Sequence, residues 1–311
     1  MIRRLSRIIT LAAVGSLAAA PADAQFWETR GVNIVDPDGR RSMLRGIGLG
    51  GWLMPEGYML HMGGSWTSMK QRVQDLVGAQ EAAAIWDRYR ELYVTEKDVE
   101  AMASWGVDHL RLPFHYEVFY DLSAGRFNED GFALLDEFLG WCETYGIPVI
   151  LDMHAAPGAQ SAGDIADSDG QARLWTQPGV YQPIAIHIWE EIARRYRDDT
   201  RIIGYDLLNE PVTPESIPDG AAALRDFYDR LVAAVRAIDP NHILFIEGNY
   251  WATTFDRLTP PFDSNMVYAF HKYWNATDQG TINYLLAIRT NHGTPCGLAK
   301  PARTAMSGCT R

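Results

Sequence analysis

The chain has 311 residues, 47% of them hydrophobic and 22% charged, with a formal net charge of -11. That length suits one large barrel or two small domains, and the composition is globular rather than disordered. The acidic balance argues against nucleic acid or an anionic membrane surface as the main partner and fits a neutral substrate.

Residues 1–24 read as an export signal. Arg3, Arg4 and Arg7 make a basic start, 8–20 are almost wholly apolar, and Ala22-Asp23-Ala24 is an A-x-A cleavage site before Gln25. The apolar run, about 13 residues, is too short for a helix crossing a hydrocarbon core of roughly 30 Å. A secreted or periplasmic protein, free of the membrane after signal cleavage, is expected. Cys142, Cys296 and Cys309 are an odd count and give no disulfide framework. Cys142 falls on the apolar face of a predicted helix, where buried filler is expected rather than a nucleophile.

A small hairpin is predicted over 32–45, turning at Asp36-Pro37-Asp38-Gly39. Residues 43–49 read as a buried strand ending in Gly50-Gly51-Trp52. Residues 53–92 are irregular, with a helix predicted within 79–93. Thr95 and Asp98 form a capping box for a helix reaching about Trp105, closed by Gly106. Thereafter strands at 107–112, 148–153, 202–208, 243–246 and 266–270 alternate with helices. Those helices are marked by Phe132, Leu135, Leu139 and Cys142, by Ile184, Ile188, Ile192 and Tyr196, and by Leu224, Phe227, Leu231, Val235 and Ile238. A last helix is predicted over 282–289.

Six apolar strands alternating with amphipathic helices imply a parallel sheet with right-handed crossovers. Each strand ends in polar or aromatic groups: Trp52, Arg111, His154, Glu210, Glu247, His271. Chemistry spread over many strand tips is the pattern of a (β/α)8 barrel mouth, whereas a doubly wound sheet gathers its site at one switch point. Gly46-x-Gly48-x-Gly50-Gly51 lacks the following helix of a dinucleotide site.

Glu210, in Leu208-Asn209-Glu210-Pro211, is an acid delivered to a strand tip with an amide beside it. Asn209 could bond a substrate hydroxyl, and apolar neighbours would raise the acid's pKa. His154 sits at a strand tip before a Pro-Gly turn, and Arg111 is placed to hold a carboxylate charged. His271 and Tyr273, two apart on an extended segment, face the same side. Trp52, Trp175, Trp251 and Trp274 are each candidates for sugar stacking, though any one could be core. A metal-dependent hydrolase using His154, His271 and Glu210 is disfavoured because H-x-H and H-E-x-x-H are both missing.

Together these segments resemble glycoside hydrolase family 5, the cellulase family of (β/α)8 barrels. Arg45-Gly46-Ile47-Gly48-Leu49-Gly50-Gly51-Trp52-Leu53 resembles the first strand of its exo-β-1,3-glucanase-like branch, where Glu56 would hold the terminal sugar. His109-Leu110-Arg111-Leu112-Pro113-Phe114, Ile150-Leu151-Asp152-Met153-His154, Leu208-Asn209-Glu210-Pro211 and Phe270-His271-Lys272-Tyr273 are similar to its later strand ends. The resemblance implies a retaining β-glycosidase acting on β-linked oligo- or polysaccharides without a cofactor, with a glycosyl-lipid hydrolase or a non-catalytic carbohydrate-binding relic as the alternatives. Glu210 would be the acid/base, Arg111 and Tyr273 would keep a strand-7 nucleophile ionised, and His154 and His271 would bind the sugar.

The pattern breaks after residue 295. The family's Pro-Val-Trp-Leu-Gly-Glu is replaced by Pro295-Cys296-Gly297-Leu298-Ala299-Lys300, and no Glu or Asp follows. Two of the three cysteines, with Lys300, Arg303 and Arg311, make 296–311 foreign to an acidic, cysteine-poor chain. One deleted base in codon 295 would produce this reading from the expected motif. The expectation is therefore a partial barrel over 25–295, with about six β/α units, strands 7 and 8 missing, a frameshifted tail and no nucleophile. Glu247 is a remote alternative for that role, and a sugar-binding or supporting one is preferred.

Overall fold

The computed structural model describes residues 26–273, 275–276 and 278–300, the last three by backbone only. The predicted export signal, Trp274, Cys309 and the rest of 301–311 lie outside the described residues. The centre is one seven-stranded sheet: β1 (Gly46–Gly48), β2 (His109–His115), β3 (Val149–Ala155), β4 (Ile202–Asp206), β5 (Ile243–Glu247), β6 (Met266–His271) and β7 (Cys296–Lys300). Spatial order equals chain order, and every neighbouring pair is parallel. This is the wall of an incomplete (β/α)8 barrel, with no eighth strand among the described residues.

Two expectations need correction. Strand 7 is present: Tyr268 pairs with Cys296 and His271 with Lys300, and Tyr268 donates its N–H to the Pro295 carbonyl at 3.0 Å. Ladder pairing uses the backbone, so a segment of unexpected composition still adds a strand. The first strand is shorter and less buried than 43–49, and Met43 is 73% exposed. β1 pairs with β2 alone, so its other edge is uncovered by the described strands.

The outer layer follows from spacing. In α6 (Gly220–Arg236), Leu224, Phe227, Leu231 and Val235 recur at three or four residues and are fully buried. At roughly 1.5–3 kcal/mol per buried large apolar side chain, this stripe fixes the helix to the sheet. α4 (Glu129–Thr144) and α5 (Pro178–Tyr196) do the same, and burial raises the Cys142 thiol to about 12, as befits filler. α3 (Glu96–Ser104) starts with the predicted Thr95–Asp98 capping box. The spacing missed α1 (Trp66–Val77), which buries only Trp66 and Met69, but not α2 (Ala79–Tyr93). α7 (Asn283–His292) leads to β7.

Two further pieces frame the mouth and the floor. The segment carrying Glu56 is held by a satellite core of Met54, Trp66, Met69, Trp86 and Ala155. It is also tied across the mouth, where Asp167 accepts from the Thr67 N–H and hydroxyl, each at 2.6 Å. Below, the strands Glu28–Arg30, Asn33–Val35 and Arg41–Ser42 form an antiparallel cap. Its Trp27, Ile34 and Leu44 pack on Ile150, Ile203, Ile243, Phe245, Val267 and Ala269 inside the barrel. Thr29 donates to Asn265 Oδ1 at 2.8 Å, and Arg289 of α7 donates to the Val32 carbonyl at 3.1 Å. A cavity of about 510 Å³ lies between Gly46–Gly48 and 295–297. No described helix is long and apolar enough to cross a membrane.

Candidate active site

The upper ends of β2 to β6 converge on one buried polar cluster. Arg111 is 3% exposed. It pairs with Asp152 at 2.9 Å and donates to Asp206 at 2.7 and 3.0 Å, and to Glu247 and Asn209 at 3.1 Å each. Burial alone would favour the neutral guanidine, but the three carboxylates overcome it and raise its pKa further. Asp206 is the odd member. Burial first, then the Glu247 charge, push its pKa upward, against the opposing pull of the Arg111 guanidinium.

Glu210 follows β4 with φ +45°, a left-handed backbone that is uncommon outside glycine. Its N–H donates to Glu247 Oε2 at 2.6 Å, and its Oε1 is bonded by His271 Nδ1. His271 Nε2 lies 3.1 Å from Glu247 Oε1. Burial works against the imidazolium, yet the flanking Glu247 and Glu210 raise His271 to about 9. Burial conversely disfavours the Glu247 carboxylate, but the adjacent His271 charge, with Arg111 and the Glu210 N–H, lowers it to about 2.

Asn209 is fully buried. It donates its backbone N–H to the Met153 carbonyl at 3.1 Å, and its carbonyl accepts from Gln160 at 2.8 Å. Its Oδ1 is taken by Arg111, which aims Nδ2 away, and that Nδ2 has no partner among the described residues. His154, also fully buried, pairs with Asp152 at 2.6 Å through Nδ1 and lies 3.6 Å from Glu56 through Nε2. Glu56 thus joins the cluster from the loop after β1. The Tyr273 ring stands edge-on to His271, centroids 5.8 Å apart.

The structure therefore brings together Arg111, His154, Asn209, Glu210, His271, Tyr273 and Glu56. It does not bring Trp52: at 1% exposed, this indole donates to the Arg90 carbonyl and packs edge-on against Phe138, leaving no face for a sugar. Trp175 is likewise core, donating to the Gln160 carbonyl. Trp251 is 52% exposed after β5, in a left-handed turn with Tyr250. Among the described residues no group of three or more His, Cys, Asp or Glu could hold a metal ion.

Sequence reasoning passed over Asp152 and Asp206 and undervalued Glu247. A signal was available. Each is a lone acid in an otherwise apolar parallel strand, where a charge must face inward and find a partner. Arg111 of β2 meets all three. Glu247 is fully buried with both oxygens engaged, which leaves it no path to a sugar.

An inward acid with a paired amide at one strand tip, and cation-held carboxylates on neighbouring strands, thus share one buried site at the mouth of the barrel. A family model for cellulase (glycosyl hydrolase family 5) matches residues 66–303, and the chain belongs to that family. It is 35% identical over 251 residues to a β-xylosidase from Phanerodontia chrysosporium, covering 80% of this chain and 52% of that protein. It is 36% identical over 186 residues to endoglucanase C from Acetivibrio thermocellus, covering 59% and 51%. The chain thus spans about half the length of these curated relatives. Its fold is shared with an endogalactoceramidase (TM-score 0.64, 18% identity, 88% of this chain and 67% of that one). A rutinosidase from Aspergillus niger is also similar (TM-score 0.61, 18% identity, 82% and 78%).

Proposed function

We propose that this chain belongs to an exported β-glycosidase acting on β-linked glucans in polysaccharide breakdown, with Glu210 as acid/base of a retaining mechanism. The observation that carries this reading is the Glu210 environment: a buried carboxyl bonded by His271, beside an Asn209 amide whose free donor is aimed by Arg111. Glu210 would protonate the leaving oxygen and then deprotonate water, while Asn209 Nδ2 would grip a sugar hydroxyl. Glu56 and His154 would hold the sugar at the β1 side, and Trp251 would offer a stacking face. The named activities of the relatives, on xylosides and on glucans, support the class of bond, and the loops choose among its members.

The retaining mechanism needs a second carboxylate about 5–5.5 Å from the first. The expected Pro-Val-Trp-Leu-Gly-Glu motif, set against Pro295–Lys300, places its Glu at position 300, where this chain has lysine. Lys300 ends β7 in register with His271. We therefore propose that the chain as written binds β-glucosides but turns them over poorly, and that one lost base in codon 295 accounts for the exchange.

The test is p-nitrophenyl β-glucoside with and without azide. Little hydrolysis is expected without azide. With it, azide should form the C1–N bond as the C1–O bond breaks and the p-nitrophenol leaves with Glu210's proton, giving the α-glucosyl azide. Brisk azide-independent turnover abolished by Glu210→Gln would refute the missing nucleophile. Failure to bind or cleave any β-glycoside would refute the whole reading. Unbroken sequencing reads through codon 295 in the present frame would remove the deletion.

A further inference from the structure

The cluster contains a closed ring of contacts, of which the proposed roles use only the link between His271 and the Glu210 carboxyl. It runs from the Glu210 N–H to Glu247 Oε2, from Glu247 Oε1 to His271 Nε2, and from His271 Nδ1 back to Glu210 Oε1. One side chain, Glu247, therefore grips Glu210 twice, directly at the backbone and through an imidazole at the carboxylate. We propose that Glu247 is a positioning residue that sets both the backbone and the carboxyl orientation of Glu210, an inference that rests on Glu210 being the acid/base.

Three observations support it. Glu210 has a positive φ without being glycine, so something must hold its backbone there, and the 2.6 Å bond to Glu247 is at that residue's own N–H. Glu247 is itself fixed from outside: Tyr228 of α6 donates to its carbonyl at 3.0 Å, and Arg111 donates to Oε1 at 3.1 Å. A group anchored by a helix and by a buried cation can impose a position on a neighbour. Finally, Glu247 is sequestered, with no exposed surface, so its charge acts on its contacts rather than on a ligand. The other charged or titratable groups around the ring are Asp206, paired to the same Arg111, and Tyr273, edge-on to His271.

A mere counter-ion for Arg111 would make a different prediction, and two readouts on the full chain separate them. NMR of histidine-labelled protein follows the His271 titration, and the Glu210 amide proton reports the direct bond. In the parent chain the amide should be far downfield and slow to exchange, and His271 should titrate near 9. Glu247→Gln should lower the His271 midpoint by more than one pH unit. Glu247→Asp should keep most of the His271 shift but lose the protected Glu210 amide. In the azide-supported reaction, Glu247→Gln should lower kcat roughly 10- to 100-fold with KM little changed and shift the pH profile. An unchanged His271 midpoint and Glu210 amide in a folded Glu247→Gln protein would overturn the proposal. So would an unchanged kcat and pH profile. Should the parent show no azide-supported turnover, the hydrolase reading falls, while the two NMR readouts still decide whether Glu247 holds Glu210. If the Gln variant does not fold, the Asp variant decides on the same readouts.

Discussion

Strands β2 to β5 each bury an acid or a base at the upper end, and each is paired on both sides. The outermost strands, β1 and β7, present Gly46, Gly48 and Gly297 instead, and leave a cavity of about 510 Å³ between them. The difference shows that the charged cluster is a property of the middle of the sheet. Arg111 meets Asp152, Asp206 and Glu247 across neighbouring strands, so its geometry needs nothing from the seam. The proposed retaining mechanism would need the seam, because its second carboxylate would come from β7.

Substitutions can break that contrast. Arg111→Met should be the most damaging, since it strands several buried carboxyls, and removing one member of a buried pair costs about 3–5 kcal/mol; urea unfolding measures it. Leu244→Ala in β5, fully buried, should cost about 2–5 kcal/mol, whereas Met43→Ala beside the seam should stay within about 0.5 kcal/mol. Equal losses at both positions would erase the distinction.

The pH dependence sharpens it. His271 is raised in the fold, so its contribution is fully present below its unfolded value near 6.5 and is lost as pH rises through about 9. The loss should be up to about 3 kcal/mol and should vanish in His271→Gln. Glu247 works in the other direction. Its contribution is present above the unfolded carboxylate value and is lost as pH falls toward about 2. Denaturation midpoints measured across pH 6–10 and pH 2–5 would check both limbs. Arg289→Ala should cost less than the changes at Arg111 and Leu244. It removes a hydrogen bond from a charged donor to the Val32 carbonyl, worth about 1.5–3 kcal/mol at most and less where water can replace it.

The same contrast explains what could be read from sequence. The middle strands and their helices were legible because apolar runs and three-to-four spacing are physical consequences of burial, as in Leu224, Phe227, Leu231 and Val235 of α6. Glu210, Asn209, Arg111, His154 and His271 were legible because polar groups ending apolar strands have few reasons to be there. Trp52 misled because an indole at a strand end looks the same whether it faces a sugar or Phe138. β7 was missed because side-chain composition was asked to reveal a backbone ladder. The roles of Asp152, Asp206 and Glu247 depend on which strands lie adjacent, and adjacency emerges only once the sheet is folded.

The antiparallel cap beneath the barrel runs directly into β1 and is bonded to Asn265 and Arg289 on the far side of the seam. It therefore acts as a strap across the lower rim of an unclosed wall. Opening should begin at the upper rim of β1 and β7 and stop at the strap, like a cuff slit from one end. Amide hydrogen exchange along these two strands should slow from top to bottom, while β3, β4 and β5 exchange only with global unfolding.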